Sequence, residues 1–528
     1  MSETIIKDTT IQSSTKSAGL AETSIEKFRT EFVIGLVGPV GTDLKTFEHL
    51  TETELTKYGY TPKFIKLSEY LESSEGVKES GEKIDATTGF DRYWTLMNAG
   101  NNLRQVKGNG FLGKIAAAKI LENRTSDKEG NRLPMTGKVH IVHSIKHKRE
   151  VEILREVYGG GFFLVGLSAS RDDRIRFLRQ KGISEEDAIR LILRDRDENE
   201  KFGQQTSKVF ELSDVFIEIP LDNQDVTRNE IDKFLRLLFG FPFATPTRDE
   251  NGMFLSYAAS LRSGSLARQI GAVVANASGD IVATGTNDVP QFGGGQYWAG
   301  DNDARDFQRG YDANTKVRNK LLETLVEKVA DAENLLSIDE KEKIKEYTSE
   351  DKLALGKQIF KGTTLFDLTE FGRDVHAEME ALLACARIGV SVKGGTLFCT
   401  TFPCHNCAKH IVDAGIERVV YIEAYPKSKA SELHSDSLSI EGKTQNKVIF
   451  EQFIGIGPRR YFDLFSMSLG TGSEKIRKDD DGDKIPWVER ESLPRFKMKH
   501  ISYLEREQRV ADEILQTLKE ASADGVDQ

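Results

Sequence analysis

Short apolar runs, separated by stretches with helical patterns, constrain the fold of this chain more than any other feature. The runs EFVIGLVG (31–38), KVHIVHSI (138–145), GFFLVGLSAS (161–170) and DVFIEIP (214–220) have the length of buried strands. A helical pattern follows the first run over residues 44–58. Strands that alternate with helices indicate a parallel sheet with helices on both faces. We therefore expect the first half of the chain to be an α/β domain.

A second series of strands and helices begins near residue 250. In IGAVVANASGDIVATGTND, two apolar runs flank the turn ASGD, which predicts a β-hairpin. Further along, the helical pattern of HNCAKHIVDAGI lies between the strand patterns GGTLFCTTF and ERVVYIEAY. The second half is therefore also expected to be of the α/β class.

The length of 528 residues predicts two or three domains, because one hydrophobic core does not extend over so long a chain. The segment FPFATPTRDE reads as a proline-marked linker between the two series. A highly charged stretch with helical spacing, near 303–365, indicates a helical insert with a solvated face. The predicted organisation is a polar tail (1–27), a first domain (28–245), a second domain (250–510) that holds the insert, and a C-terminal tail (511–528).

Composition narrows the class of protein. No apolar run approaches the roughly 18 residues of a membrane helix, and the polar N-terminus lacks the apolar centre of a secretory signal. Four cysteines do not form a disulfide framework, so we expect a reducing, cytoplasmic compartment. The net charge of −10 argues against binding to a nucleic-acid backbone, although it leaves room for a local basic pocket.

Two of the four cysteines form the pair PCHNC, in which Cys404 and Cys407 follow Pro403. Three residues are close to one helical turn, so both sulfur atoms can face one point. The pair is expected in the first turn of a helix, where unpaired N–H groups and the positive end of the helix dipole favour thiolates. Thiolates are ligands that Zn²⁺ prefers. A redox pair is the alternative for C-x-x-C.

A third ligand is expected from DVHAEMEALL, in which His376 and Glu378 open a helix and Asp374 is a candidate cap. One strand separates this helix from the Cys404 helix, so both helix starts can lie at the same end of the sheet. Cys385 and Cys399 are expected to be core residues, and His405 and His410 to face solvent. Three protein ligands and one open position are the arrangement of a catalytic zinc site.

His376, Glu378 and the Pro403–Cys407 segment reproduce the H-x-E … P-C-x-x-C signature of the zinc nucleobase deaminases. This resemblance implies that His376, Cys404 and Cys407 hold Zn²⁺, which makes hydroxide available to attack C4 of a cytosine ring. Glu378 would be the catalytic acid and base, which moves protons to N3 and to the leaving ammonia without binding the metal.

Residues 256–290 and 374–425 resemble the dCMP deaminase branch of that superfamily. The resemblance implies that Asn287 contacts the sugar and that the ring of Tyr425 packs near the substrate, although each residue can equally be structural. Arg268 and Lys427 are candidate phosphate contacts, with a solvated role as the alternative. Asp288 stands where the family usually has glycine, which leaves the geometry of this loop open.

The glycine-rich turn GLVGPVGTDLK resembles the P-loop of nucleotide kinases, because it follows a strand and opens a helix. Gly38, Gly41 and Thr42 are candidate nucleotide-binding residues. Leu44 and Lys45 stand where the phosphate-binding lysine and the Mg²⁺-binding hydroxyl would be, so we expect no phosphoryl transfer. Nucleotide binding without chemistry, or a turn that serves only the fold, remain as alternatives. The segment at 190–205 resembles a kinase lid or is an exposed charged helix.

Taken together, residues 30 to 510 resemble the bacterial antiphage dCTP deaminases. The resemblance implies a P-loop-kinase-like three-layer domain with a parallel sheet, followed by a cytidine-deaminase-like α/β/α domain with a helical insert. It also implies a zinc-dependent hydrolase that converts dCTP, and dCMP in part, to deoxyuridine nucleotides and so depletes dCTP during infection. A nucleotide effector at the first domain, an inhibitory small RNA and a homo-oligomer are further expectations.

Three rival functions remain at the level of sequence. One is a deaminase that edits cytosine in nucleic acids, and another is a housekeeping dCMP deaminase with a regulatory nucleotide-binding domain. The third is a sensor in which the nucleotide domain is primary.

Overall fold

The computed structural model describes most of the chain from Arg29 onward. No helix in the described residues is both long enough and apolar enough to span a bilayer. The described ranges are 29–84, 89–196, 203–300, 302–332, 335–425, 428–440, 442, 446–468, 470, 474–496 and 500–524.

Five parallel strands of the first half lie in the order β5-β4-β1-β3-β2, which confirms the prediction of a parallel sheet. Alternate residues of the first strand pack on opposite faces: Phe32, Ile34 and Leu36 on one, Val33 and Val37 on the other. Burial on both faces explains why this strand is continuously apolar. The strands are β1 (Phe32–Val37), β2 (Thr61–Lys66), β3 (Lys138–His143), β4 (Phe162–Ser168) and β5 (Val215–Glu218).

Helices connect these strands and cover both faces of the sheet. The helix after the glycine-rich turn begins at Leu44, as predicted, and the Asp43 side chain accepts a hydrogen bond from the Thr46 N–H at its start. The helices are α1 (Leu44–Lys57), α2 (Leu67–Glu72), α3 (Ser74–Ser80), α4 (Gly89–Lys107), α5 (Phe111–Glu122), α6 (Lys148–Tyr158), α7 (Arg171–Gln180), α8 (Glu185–Arg196), α9 (Thr206–Phe210) and α10 (Gln224–Leu238).

The second sheet has the order β10-β11-β9-β8-β6-β7. Strands β6 and β7 form the expected antiparallel hairpin around ASGD, whereas β8, β9, β11 and β10 pair in parallel. Both sheets are thus rich in parallel pairs, and the α/β class is confirmed. The strands are β6 (Gly271–Ala275), β7 (Ile281–Thr286), β8 (Thr396–Thr401), β9 (Arg418–Glu423), β10 (Leu438–Ile440) and β11 (Val448–Gln452).

Helices of the second half include the charged segment expected as an insert. Within this segment Leu322, Val326 and Ala330 are buried on one helix, and its charged residues are mostly exposed. The helices are α11 (Arg248–Ser260), α12 (Asp306–Arg309), α13 (Ala313–Asp331), α14 (Ile338–Glu346), α15 (Ser349–Ile359), α16 (Ala377–Ile388), α17 (His405–Asp413), α18 (Ala430–Leu433), α19 (Tyr461–Phe465) and α20 (His500–Asp524).

Two C-terminal elements return to the first half of the chain. The short strand β12 (Gly455–Ile456) pairs antiparallel with β5 and extends the first sheet. Helix α20 packs against α5 and buries Tyr503, Glu507 and Ile514. The segment expected as a C-terminal tail from residue 511 onward thus continues helix α20 as far as Asp524, and one face of this helix is anchored by long-range contacts that helical periodicity does not identify.

A buried cluster of charges accounts for this anchoring. Arg124 donates to Glu507 from Nε at 2.7 Å and from Nη2 at 2.8 Å, and its Nη1 donates to Glu31 at 2.6 Å. Tyr503 and His140 also bind Glu31. Burial raises the pKa of Glu31, but the hydrogen bond from His140 and the charge of Arg124 outweigh it and lower the pKa to about 2. The pair of Arg124 with Glu507 is bidentate, and each buried charge of the cluster has a partner.

The two sheets share one hydrophobic cluster. It contains Val33 and Phe216 of the first sheet together with Phe398 and Val420 of the second, and the ring of Phe453 contacts that of Phe216 at 5.5 Å between centroids. This shared core packs the first sheet against the second half of the chain.

Candidate zinc site

The three residues predicted as metal ligands converge at the starts of two helices. His376 is the N-cap of α16 and Cys404 the N-cap of α17, and the two helices contact each other. Cys407 follows within the first turn of α17. Asp374 was expected to cap α16, and this was wrong, because the helix begins at Ala377 with His376 itself at the capping position.

The distances fit a tetrahedral metal ion. His376 Nδ1 lies 3.4 Å from Cys404 Sγ and 3.3 Å from Cys407 Sγ, and all three ligand atoms lie within 4.8 Å of one another. Bond lengths of about 2.0 Å to nitrogen and 2.3 Å to sulfur at tetrahedral angles place N and S about 3.5 Å apart. One imidazole and two sulfur atoms at these separations are a donor set suited to Zn²⁺.

The electrostatics of the cluster favour a thiolate. A hydrogen bond from Cys407, with a further contribution from His376, lowers the pKa of Cys404 to about 3 despite burial. The same contact with Cys404 raises the pKa of His376 to about 9. Because a ligating imidazole must be neutral, metal binding at this cluster releases protons.

Glu378 lies beside the cluster and is 4% exposed. Its carboxyl group hydrogen-bonds Cys407, and burial raises its pKa above the ordinary value for glutamate. A carboxyl group whose pKa is raised above its ordinary value is suited to acid–base chemistry at such a site.

The other cysteines and histidines near the motif are not part of the cluster. Cys385 and Cys399 are buried in the core of the second half, as predicted. His410 is exposed and His405 is half-buried, and neither belongs to the metal-ligand group of the described residues.

Asn287 is engaged with the backbone. Its Oδ1 accepts the Ile270 N–H at 2.7 Å and its Nδ2 donates to the Arg268 carbonyl at 2.8 Å. The side chain is 6% exposed and ties the end of β7 to the loop before β6. A structural role is therefore visible for Asn287, whereas its predicted sugar contact stays a prediction.

Arg268 and Tyr425 lie together near the carboxyl end of β9. The Arg268 guanidinium stands 5.3 Å from the centre of the Tyr425 ring and 3.4 Å from Glu423, which in turn accepts a hydrogen bond from Thr401 at 2.8 Å. Arg268 is largely exposed, so it can reach a phosphate at the surface. Lys427 lies outside the described residues.

The backbone of the glycine-rich turn is bound by a carboxylate that the sequence analysis did not predict. The Val40 N–H donates to Asp195 Oδ2 at 2.7 Å, while Lys146 donates both to Asp195 Oδ1 and to the Gly38 carbonyl at 2.8 Å. Asp195 belongs to the segment at 190–205, and it is fully buried. The helical spacing did indicate that Asp195 is buried, because it lies on the same face of α8 as Leu191 and Ile192.

The other residues of the turn serve its geometry. The Thr42 hydroxyl donates to the Pro39 carbonyl at 2.8 Å. Gly41 has φ +91°, and a Cβ at this position would lie 2.8 Å from the Arg174 carbonyl oxygen. Glycine is thus required both by the left-handed backbone and by the close approach of α7.

Comparison with known families agrees with the geometry of the zinc cluster. Residues 246–423 match the family model described as the cytidine and deoxycytidylate deaminase zinc-binding region. The second half of the chain thus contains a zinc-binding region of the deaminase type, and the prediction of zinc as the cofactor is confirmed.

Individual relatives match over short stretches. The deoxycytidylate deaminase of Enterobacteria phage T2 is 46% identical over 56 residues, which are 11% of this chain and 30% of that protein. ComE operon protein 2 of Bacillus subtilis is 45% identical over 53 residues, 10% of this chain and 28% of that protein. The chain therefore spans about a third of the length of these relatives.

Solved structures also align with parts of the chain. The dCMP deaminase of cyanophage S-TIM5 aligns with 40% of this chain and 100% of its own at 20% identity, with a TM-score of 0.22. A gluconokinase from Sinorhizobium meliloti 1021 aligns with 39% of this chain and 90% of its own at 16% identity, also with a TM-score of 0.22. Scores this low support no conclusion about either half.

Proposed function

We propose that the protein is a zinc-dependent hydrolase that deaminates deoxycytidine nucleotides to deoxyuridine nucleotides. One observation carries the proposal: the ligand atoms of His376, Cys404 and Cys407 meet within 4.8 Å, beside the buried carboxyl group of Glu378. This constellation lies inside the region that matches the cytidine and deoxycytidylate deaminase model.

The residues of the site divide the chemistry between them. His376, Cys404 and Cys407 hold the metal, which when bound lowers the pKa of water toward about 7 and makes hydroxide available at neutral pH. Glu378 would take a proton from the attacking water and donate it to N3 of the cytosine ring as C4 is attacked. It would then take the proton of the new hydroxyl group at C4 and transfer it to the amino group, which leaves as ammonia. Its raised pKa suits both directions of transfer.

The substrate is proposed to be dCTP, with dCMP as a second substrate. The names of the matched phage relatives support a deoxycytidine nucleotide. Arg268, exposed beside the ring of Tyr425, is a candidate phosphate contact, and Lys427 follows closely in the chain. Asn287, at the end of the hairpin, is the candidate contact to the sugar.

The biological role is proposed by resemblance to the antiphage dCTP deaminases. Depletion of dCTP would limit viral DNA synthesis, with an inhibitory small RNA as a regulator and a homo-oligomer as the active form. We further propose that residues 28–245 are a P-loop-kinase-like domain without phosphoryl-transfer activity, and that residues 250–510 are the deaminase domain. The absence of lysine at position 44 supports the first assignment.

The test uses purified full-length protein with dCMP, dCTP and cytosine-containing oligonucleotides, and measures ammonia release together with zinc content. We expect both nucleotides to be deaminated and the oligonucleotides to be left unchanged. Glu378→Ala should retain zinc and lose turnover, whereas Cys385→Ala, a buried cysteine outside the cluster, should behave as wild type. Activity on oligonucleotides alone would show an editing enzyme, and zinc-loaded protein without activity would contradict the proposal.

A further inference from the structure

The glycine-rich turn already holds an anion that the chain itself supplies. The Asp195 carboxylate accepts the Val40 N–H at 2.7 Å, the Lys146 ammonium at 2.8 Å and the Thr206 hydroxyl at 3.0 Å. Backbone N–H groups and a cation around a carboxylate are the same partners that a phosphate would use at such a turn. A phosphorylated ligand of the first half is therefore expected beside this turn and not within it.

A cavity of about 540 Å³ lies there, between the first sheet and the second half of the chain. Pro39 of the glycine-rich turn is on its edge. The first half contributes three arginines, Arg171, Arg174 and Arg196, one carboxylate, Asp172, and the hydroxyl groups of Ser168, Ser170, Thr206 and Ser207. Arginine side chains and hydroxyl groups on one wall are the chemistry that recognises phosphate groups.

The residues that the second half contributes have a different character. They include the aromatic side chains of Phe402, Tyr421 and Tyr425, whereas the first half contributes one aromatic residue, Phe210. Tyr425 is half-buried, so part of its ring is accessible. Aromatic rings in the same cavity as arginines fit a ligand with a planar base at one end and phosphates at the other.

The cavity is close to the metal ligands without being lined by them. Its lining residues do not include His376, Cys404, Cys407 or Glu378. The link is local: Phe402 and Pro403 precede Cys404 directly, and the Ser428 hydroxyl on the cavity wall donates to the Pro403 carbonyl at 2.9 Å. A ligand in the cavity would thus lie next to the segment that contains one zinc ligand.

We propose that this cavity is a binding site for a nucleoside phosphate, with its phosphates at Arg171, Arg174 and Arg196 and its base against the wall formed by Tyr421 and Tyr425. The site differs from the glycine-rich turn, where Asp195 takes the place of the phosphate. The zinc ligands and Glu378 do not line the cavity, whereas Tyr425 is shared with the substrate contact proposed above, so the test of this site uses ligands without cytosine.

Calorimetric titration of the full-length protein tests the proposal. The probes are ATP, GTP and dTTP, which contain no cytosine, and inorganic tripolyphosphate, which has no base. We expect at least one nucleotide to bind one per chain, and more tightly than tripolyphosphate. The double variant Arg171→Ala/Arg174→Ala should weaken this binding at least tenfold, and Arg179→Ala, an exposed arginine on the same helix outside the cavity, should not.

A variant in the second half keeps the test independent of the arginines. Ser431 is exposed on α18 and lines the cavity, so Ser431→Trp should fill the space and weaken binding by a similar factor while thermal unfolding and zinc content stay unchanged. The proposal is overturned if none of the nucleotides binds, if the double arginine variant binds as wild type, or if tripolyphosphate binds as tightly as the nucleotides. Each of these results is independent of whether the protein deaminates cytosine.

Discussion

The glycine-rich turn and the zinc cluster occupy similar places in the two halves of the chain and are used differently. Each follows the carboxyl end of a parallel strand, β1 in one case and β8 in the other, and each precedes a helix. The turn lacks the lysine of a P-loop, and its Val40 N–H is taken by Asp195. The cluster retains every member of its motif, with the three ligand atoms facing one another.

The difference shows how the chain itself can supply the partners of a glycine-rich turn. Buried polar groups need partners, so when no ligand supplies them the chain must. Lys146, which follows β3, stands in for the missing lysine and pairs with Asp195 instead of a phosphate. Such a turn is expected to contribute to stability, whereas the zinc cluster is expected to contribute to activity.

The largest expected effect separates these two roles. Cys404→Ala removes one of three metal ligands, so we expect loss of bound zinc and a fall in deaminase activity of more than about 1,000-fold. Zinc content and ammonia release on dCMP measure the two effects. Asp195→Asn serves as the matched change in the other region and should retain zinc. If Cys404→Ala retained activity, the zinc cluster would not be the source of activity, and its contrast with the glycine-rich turn would not hold.

The next effect is on stability in the glycine-rich turn. Asp195→Ala leaves the mostly buried Lys146 without its counter-ion, so the free energy of unfolding should fall by about 4 kcal/mol. Urea unfolding measures this change. Glu186→Ala, an exposed position on the same helix, should change it by less than about 0.5 kcal/mol. The double variant Asp195→Ala/Lys146→Met should recover part of the lost free energy of unfolding, because the unpaired charge is removed. If Asp195→Ala alone caused no loss, Asp195 would not be the partner of the turn.

The dependence of stability on pH gives a further test of the first half, because it involves His143 at the end of β3. Burial, with a smaller contribution from Lys66, lowers the pKa of His143 to about 4, even though Glu48 lies 3.3 Å from its Nδ1. Between pH 6.5 and 4 the unfolded state therefore binds a proton that the folded state does not, and stability falls as pH falls through this window. The expected loss from this group is up to about 3 kcal/mol.

Urea unfolding between pH 7 and pH 4.5 measures this loss, with His143→Gln as the comparison. Contributions from zinc release are common to both proteins, so the difference between their slopes reports on His143. Equal slopes would show that His143 is not responsible.

The smallest expected effects distinguish two residues assigned to the substrate. Asn287→Ala removes two hydrogen bonds to the backbone and should lower the free energy of unfolding by about 1.5 kcal/mol. Arg268→Ala, at a largely exposed position, should change it by less than about 0.5 kcal/mol while raising KM for the phosphorylated substrate. An unchanged KM in Arg268→Ala would show that Arg268 does not bind the phosphate and only contacts Glu423 at the surface.

Much of the fold and the cluster could be predicted from sequence because their signals are local. Helix and strand periods identified both α/β halves and the hairpin around ASGD. The ligands could be assigned because the motif spacing places each one at a helix start, and strand–helix units bring such starts to one edge of a sheet. Helix α20 and strand β12 could not be placed, since their partners Arg124 and β5 lie hundreds of residues away in the sequence.

The sequence by itself determined the alternation of strands and helices, the residue types of the zinc ligands and the missing lysine of the glycine-rich turn. Only the tertiary structure decided that Asp195 binds that turn, that Asn287 is held by the backbone and that arginines of one half and tyrosines of the other line one cavity. The physical reason is that periodicity and spacing report on neighbours along the chain, whereas the partner of a buried charge and the walls of a cavity depend on how separate elements pack.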